Sequence, residues 1–188
     1  MNKRVAILGP SGQYNHLILR RVKELGFYAE LFELNEKNVL KINGFDVVII
    51  GGGPARLDDS SQEVRAIKKL VFDREMPVLG ICLGFQAIAL AFRGKLTTDQ
   101  PSFGPQKIIV KEKDVIFEGL PDIFSVWESH NDTVSFLPNE FKILAVAEKG
   151  YIEAARHIKR PIFGVLFHPE VEHTQFGSKI LHNFILLS

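Results

Sequence analysis

Two kinds of apolar pattern divide the chain. In the first half, short unbroken apolar runs end in glycine, VAILG at residues 5–9 and FDVVIIGGG at 45–53. Such runs suit parallel strands covered on both faces. Between them, Leu17, Ile18, Val22 and Leu25 recur at helical spacing, with Gly26 as a stop. The run at 28–34 predicts a second strand. SSQEVRAIKKLVFDREM, following the triple glycine, predicts a helix with Ser61 as its N-cap. PVLGI at 77–81 predicts a strand, and FQAIALAF at 85–92 a buried helix. Strands alternating with helices imply an α/β fold around a mostly parallel central sheet flanked by helices.

The second half changes period. QKIIVKE, DIFSVWE, FKILAVAE and YIEAARH are short strand-like runs separated by glycine and proline. They predict a smaller antiparallel or mixed extension of the sheet. PIFGVLFHPE at 161–170 returns to a buried strand, and residues 175–187 predict a closing helix. PSFGPQK and LDDSSQE read as solvated loops. No repeat, low-complexity tract or linker interrupts the pattern, so residues 1–188 are expected to form one domain.

Composition narrows the function classes. The 188 residues are 46% hydrophobic and 24% charged, ordinary for a soluble globular domain. Twenty-three basic against 22 acidic residues give a net charge of +1, no electrostatic case for nucleic acid or an anionic membrane. One cysteine excludes an internal disulfide, which fits a reducing cytoplasm. The first apolar run is too short for a signal-peptide core, and no run approaches a membrane span. A cytoplasmic location is expected.

That single cysteine lies in GICLG, between a predicted strand and a predicted helix, with Gly80 and Gly84 two residues to either side. This is the strand–turn–helix elbow that exposes a nucleophile above a sheet edge. It also sets Cys82 at a helix N-terminus, where the dipole favours a thiolate. The alternative is a packed core cysteine. A nucleophile needs a base and a group to orient that base. Of six histidines, His16, His130, His157, His173 and His182 lie in stretches that read as surface or loop. The sixth ends a buried strand in His168-Pro169-Glu170. Residues i and i+2 of an extended segment point the same way, so Glu170 can fix the His168 tautomer and raise its basicity. Gly51, Gly52 and Gly53 follow another buried strand and can aim backbone N–H groups at a developing oxyanion. Neither they nor the GPSGQ turn after the first strand has the pattern of a phosphate loop.

GICLGFQ, GGGP and FHPEVEHT together resemble the triad-type, class I glutamine amidotransferases over essentially the whole chain. SGQYNHLI, WESHND and the HPEV-x-HT ending resemble one branch of that family, glutaminase subunits of the archaeal, two-chain GMP synthases. The resemblance implies that Cys82 attacks the side-chain amide of L-glutamine, that His168 moves the proton, and that Glu170 orients it. It implies an oxyanion hole from the backbone N–H groups of Gly53 and Leu83. It places Gly52, Gln86, Asn131 and Asp132 near the substrate, and makes the segment around His130 a lid that touches glutamine and couples to the partner. Four positions depart from the family pattern: LGPSGQY after the first strand, Phe85 before Gln86, Leu166 before the catalytic Phe-His, and Asn131 within the Ser-His-x-Asp segment.

No Ser-Gly-Gly-x-Asp-Ser loop of an ATP-pyrophosphatase occurs in the chain. The resemblance therefore implies a separate synthetase subunit that binds ATP, Mg²⁺ and XMP and receives the ammonia, and low glutaminase activity in isolation. No cofactor or metal is expected in this chain. Rival readings are a glutaminase subunit of another synthase, of the anthranilate or aminodeoxychorismate type or for carbamoyl phosphate, a free-standing γ-glutamyl hydrolase, and a regulatory domain without catalysis.

Overall fold

The computed structural model describes residues 3–10 and 14–187. One nine-stranded sheet runs through it. Strands β1 (Arg4–Gly9), β2 (Tyr28–Glu33), β3 (Val47–Ile50), β4 (Val78–Ile81) and β11 (Ile162–Val165) are mutually parallel. Strands β6 (Ser102–Val110), β7 (Ile123–His130), β9 (Phe141–Ala147) and β10 (Ile152–His157) continue it antiparallel. The order across the sheet is β2-β1-β3-β4-β11-β10-β9-β6-β7. The α/β architecture is as the periodicity implies, and the antiparallel extension is joined to the parallel half through β11 and β10. A separate small ladder pairs β5 (Lys95–Thr97) with β8 (Thr133–Phe136).

Both faces of the parallel half are covered, which is why β3, β4 and β11 are buried at every position. Helices α1 (Tyr14–Glu24) and α5 (Gly177–Ile185) cover one face through Ile18, Val22, Ile180, Leu181 and Phe184. Helices α2 (Glu36–Val39), α3 (Gln62–Asp73) and α4 (Leu83–Ala91) cover the other. Val64, Ile67, Leu70 and Val71 give α3 one apolar stripe, whereas α4 is buried all round, as its uniformly apolar sequence requires. Asn15 on α1 donates to the Pro10 carbonyl at 2.5 Å, tying the helix to the end of β1.

Local expectations differ at Ser61, in the PSFGPQK stretch, and at His130 and His157. Ser61 precedes α3, but its hydroxyl accepts from the Asp58 N–H at 2.9 Å instead of capping the helix. The PSFGPQK stretch is mostly strand: β6 starts at Ser102, which is buried opposite His130 of β7. His130 and His157 are interior residues, not surface ones. His157 packs between Phe92 and Phe141, and its Nδ1 accepts from the backbone of Lys159 and Arg160. The turn that reads GPSGQ falls largely on residues 11–13, outside those described.

Candidate active site

The C-terminal ends of β3, β4 and β11 lie side by side, because Ile50 pairs with Gly80 and Val165 with Ile81. The next residues along each strand are therefore Gly51–Gly53, Cys82 and the segment leading to His168. Catalytic groups of open α/β sheets gather at this edge.

Cys82 sits between β4 and α4 with φ 52° and ψ −109°, a conformation a side chain rarely adopts. Its N–H is held by the Val165 carbonyl at 2.8 Å, and its carbonyl accepts from Gln86 N at 3.0 Å. The flanking glycines let strand and helix approach. A Cβ on Gly84 would stand 2.5 Å from the Ile50 carbonyl oxygen, and one on Gly80 2.6 Å from the Gly84 carbonyl carbon. The sulfur lies 3.8 Å from the Ser129 carbonyl and the residue is 4% exposed. The packed reading of Cys82 holds for its burial, and the elbow that the nucleophilic reading requires is also present. The residue is buried, but on a strained elbow at a helix N-terminus.

His168 Nδ1 lies 2.7 Å from Glu170 Oε1, the i, i+2 pairing expected across Pro169. Its backbone is pinned by Trp127, whose carbonyl accepts from the His168 N–H at 2.9 Å. Thr174 completes the hold: its hydroxyl donates to the His168 carbonyl at 2.6 Å and accepts from the Trp127 N–H at 2.9 Å. The Tyr14 ring packs on the imidazole with centroids 4.9 Å apart. Burial disfavours the charged ring, yet the Glu170 carboxylate and the Cys82 sulfur outweigh it and hold the His168 pKa well above the ordinary histidine value. Gly52 adjoins both groups. A Cβ there would be 3.1 Å from His168 Cε1 and 3.6 Å from Cys82 Cβ. Gly53 follows, half-buried, and Leu83 opens α4, so its N–H points out of the helix end.

The middle motif is placed differently from a lid. Trp127 to His130 belong to β7, and the His130 side chain is 1% exposed, so it cannot itself touch a partner. Asn131 is the exposed residue of the motif, while Asp132 is buried. Gln86 is buried too, and donates to the Asp132 carbonyl at 2.6 Å, joining α4 to the turn between β7 and β8. Phe85 packs in the core over Gly164, where a Cβ would collide with its ring, and Leu166 is fully buried.

Sequence reasoning gave no role to Tyr14, Thr174 or the Ser129 carbonyl, although all three lie within the family-like motifs. It overlooked Glu128 and Glu153. These, with His130, are the group of His, Cys, Asp and Glu residues among those described that could hold a metal ion. Their only signal was an acidic residue inside an apolar strand. A cleft of about 550 Å³ runs along α1 and residues 170–173, lined by Tyr14, Arg20, Arg21, Trp127 and His173, and meets the triad at Glu170.

The arrangement is that of a thiol nucleophile with an oriented base. The family model of class-I glutamine amidotransferases matches residues 8–187. One subunit of the glutamine-hydrolysing GMP synthase of Archaeoglobus fulgidus is 40% identical, with 97% of each chain covered. The GMP synthase of Thermosipho melanesiensis is also 40% identical, over 97% of this chain but only 36% of that protein, so this chain spans about a third of its length. A crystal structure from Thermoplasma acidophilum, described as that of a GMP synthase subunit, superposes with a TM-score of 0.92 at 34% identity, covering 98% of this chain and 93% of that one. With the elbow, the base and its carboxylate in place, the chain belongs to the class-I glutamine amidotransferase family.

Proposed function

We propose that this chain is the glutaminase subunit of a GMP synthase, hydrolysing L-glutamine to glutamate and ammonia for a separate synthetase subunit. The observation that carries the chemistry is that the Cys82 elbow and the His168–Glu170 pair meet at Gly52, where a Cβ would lie 3.6 Å from Cys82 Cβ and 3.1 Å from His168 Cε1. Cys82 Sγ attacks the side-chain amide carbon of glutamine. His168 takes the thiol proton and returns it to the departing ammonia, leaving a γ-glutamyl thioester. Water activated by the same ring then cleaves the thioester and releases glutamate. Glu170 holds the ring and supports its charge. The N–H groups of Gly53 and Leu83 receive the oxyanion, and Gly52, Gln86, Asn131 and Asp132 border the bound glutamine.

The acceptor rests on the likeness to separate GMP synthase subunits that the chain covers almost end to end. The partner is an ATP-pyrophosphatase that uses ATP and Mg²⁺ to adenylate XMP before ammonia arrives. Cys82 at 4% and His168 at 2% exposure are nearly closed to solvent, consistent with a site that opens when the partner docks. Coupling runs through the backbone of β7 and exposed Asn131, since the His130 side chain is inside.

The test is ammonia and glutamate release by the chain alone, then with the synthetase subunit, ATP, Mg²⁺ and XMP, with Cys82→Ala beside it. The expected result is strong stimulation by the complete mixture and none in the variant. Cys82-dependent hydrolysis indifferent to XMP would move the chain to another acceptor or to a free-standing hydrolase.

A further inference from the structure

Behind the nucleophile, three ionisable side chains meet in the protein interior. Glu128 and His130 project from the buried face of β7, and Glu153 from the start of β10. Their exposures are 0%, 4% and 0%. One polar atom from each lies within 4.8 Å of the other two. His130 Nε2 is 3.3 Å from Glu128 Oε2, but no oxygen of either carboxyl and neither ring nitrogen meets hydrogen-bond geometry with a described neighbour. Two buried carboxylates side by side are unfavourable unless a proton or a cation neutralises one of them.

The backbone braces this group against Cys82 from two sides. Glu153 sits in a β-bulge, where the β9–β10 register slips between Ile152 and Ala154. Its carbonyl accepts from Leu166 N at 2.8 Å, one residue beyond Val165, whose carbonyl holds the Cys82 N–H at 2.8 Å. On the other side, Ser129 lies between Glu128 and His130, and its carbonyl is the group 3.8 Å from Cys82 Sγ. β7 is the last strand of the sheet, separated from β11 by three others, yet it returns to meet His168 through the Trp127 carbonyl. The wall of the thiol site is therefore built on the strand that carries Glu128 and His130.

We propose that Glu153 is kept as the neutral carboxylic acid and shares its proton with the Glu128 carboxylate, that His130 donates to the same carboxylate, and that this network positions the β7 wall of the Cys82 site. The three are positioning residues. The inference rests on Cys82 as the reacting thiol and is independent of which acceptor consumes the ammonia. The groups that face Glu153 fit it. Burial, then the Glu128 charge, then Cys82 hold its carboxyl well above the usual range. Burial raises Glu128 as well, but His130, Glu153 and Ser102 bring it below its ordinary value. Tyr151, just before β10, is raised by burial and by both carboxylates.

Linkage gives a sign. Glu153 has a folded pKa above the unfolded value near 4.5, so the folded chain keeps a proton that the unfolded chain has released. Wild type then loses stability as pH climbs from that unfolded value toward the folded one, and a neutral amide at 153 does not.

The experiment compares wild type, Glu153→Gln and Glu153→Ala as full chains. Cys82 is the sole cysteine, so alkylation by iodoacetamide reports that thiol alone. Wild type is expected to show the infrared C=O stretch of a protonated carboxyl group at neutral pH, absent in Glu153→Gln. The melting temperature of Glu153→Gln minus that of wild type is expected to rise with pH. Glu153→Ala is expected to alter the alkylation rate by about tenfold, and Glu153→Gln, which keeps an N–H donor toward Glu128, to return it to within about threefold of wild type. Absence of the band, a pH-independent melting difference, or wild-type alkylation in Glu153→Ala would overturn the proposal. So would a stoichiometric divalent cation released by acid from the purified chain, which would make the three residues a metal site. If Glu153→Ala does not fold, the band and the pH dependence of Glu153→Gln decide. A Cys82 inert to alkylation in every variant would instead sink the nucleophile reading on which the inference rests.

Discussion

Glu170 Oε1 stands 2.7 Å from His168 Nδ1 across a single proline, with both side chains almost fully buried. The carboxylate does two things there. It fixes which ring nitrogen carries the proton, and it overcomes the burial that would otherwise discharge the ring. Glu170→Gln keeps the size and removes the charge. We predict a fall in partner-stimulated glutaminase kcat on the order of 100-fold, because the ring loses its basicity and its assigned tautomer. The raised His168 pKa contributes stability that is complete below the unfolded value near 6.5 and is lost as pH rises through the folded pKa. The melting difference between wild type and Glu170→Gln should therefore be largest in mildly acidic solution, just below that unfolded value, and shrink toward alkaline pH. A difference that widens with pH would contradict this account.

Gly52 offers a test of the site that bypasses the triad. A Cβ at this position would lie 3.1 Å from His168 Cε1, tight but not forbidding, and 3.6 Å from Cys82 Cβ. Gly52→Ala should therefore fold, with a stability change within about 1 kcal/mol. If glutamine binds against the thiol and the ring as proposed, the added methyl would occupy space that its amide needs. The predicted outcome is at least about tenfold lower kcat with an almost unchanged melting temperature. Equal losses of activity and stability would mean that the glycine serves packing alone.

The legible part of this protein is what local pattern dictates. Unbroken apolar runs gave β3, β4 and β11, and the glycines around Cys82 gave the elbow, because these features need only neighbours in sequence. His168 and Glu170 were legible for the same reason, as an i, i+2 pair. The motif around His130 was not. Its alternation of buried and half-buried positions places Glu128 and His130 inside, but polar residues in alternation read as a solvated strand or loop unless the facing strand is known. Glu153 depends on a bulge and on β7 curling back, neither of which is encoded locally. Thr174 and Tyr14 are second contacts to His168 from remote segments, visible only once the chain has folded.

Gln86 separates two roles that share one residue. Its amide donates to the Asp132 carbonyl at 2.6 Å in a buried setting, so it supports the β7–β8 turn whatever it does for the substrate. Gln86→Met preserves volume and removes the donor. Losing one partner of a buried hydrogen bond costs about 1–3 kcal/mol, and thermal unfolding should show a loss of that size. Unchanged stability together with a raised KM would assign the side chain to glutamine alone.

The backbone of Cys82 carries a cost that its chemistry explains. At φ 52° and ψ −109° the residue lies outside the regions that side chains favour, and such a conformation costs about 1–3 kcal/mol. Glycine adopts it freely, though it gives back about 0.5–1 kcal/mol through the larger entropy of its unfolded chain. Cys82→Ala and Cys82→Gly both remove the sulfur and its contact with the Ser129 carbonyl. Their difference therefore isolates the backbone. Cys82→Gly should be the more stable of the two by about 1 kcal/mol, and both should be inactive with the partner present. Denaturant unfolding of the two variants side by side measures this directly. If alanine proved as stable as glycine, the elbow would hold no strain, and the placement of the thiol would owe nothing to a backbone held against its preference by β4, α4 and the Val165 carbonyl.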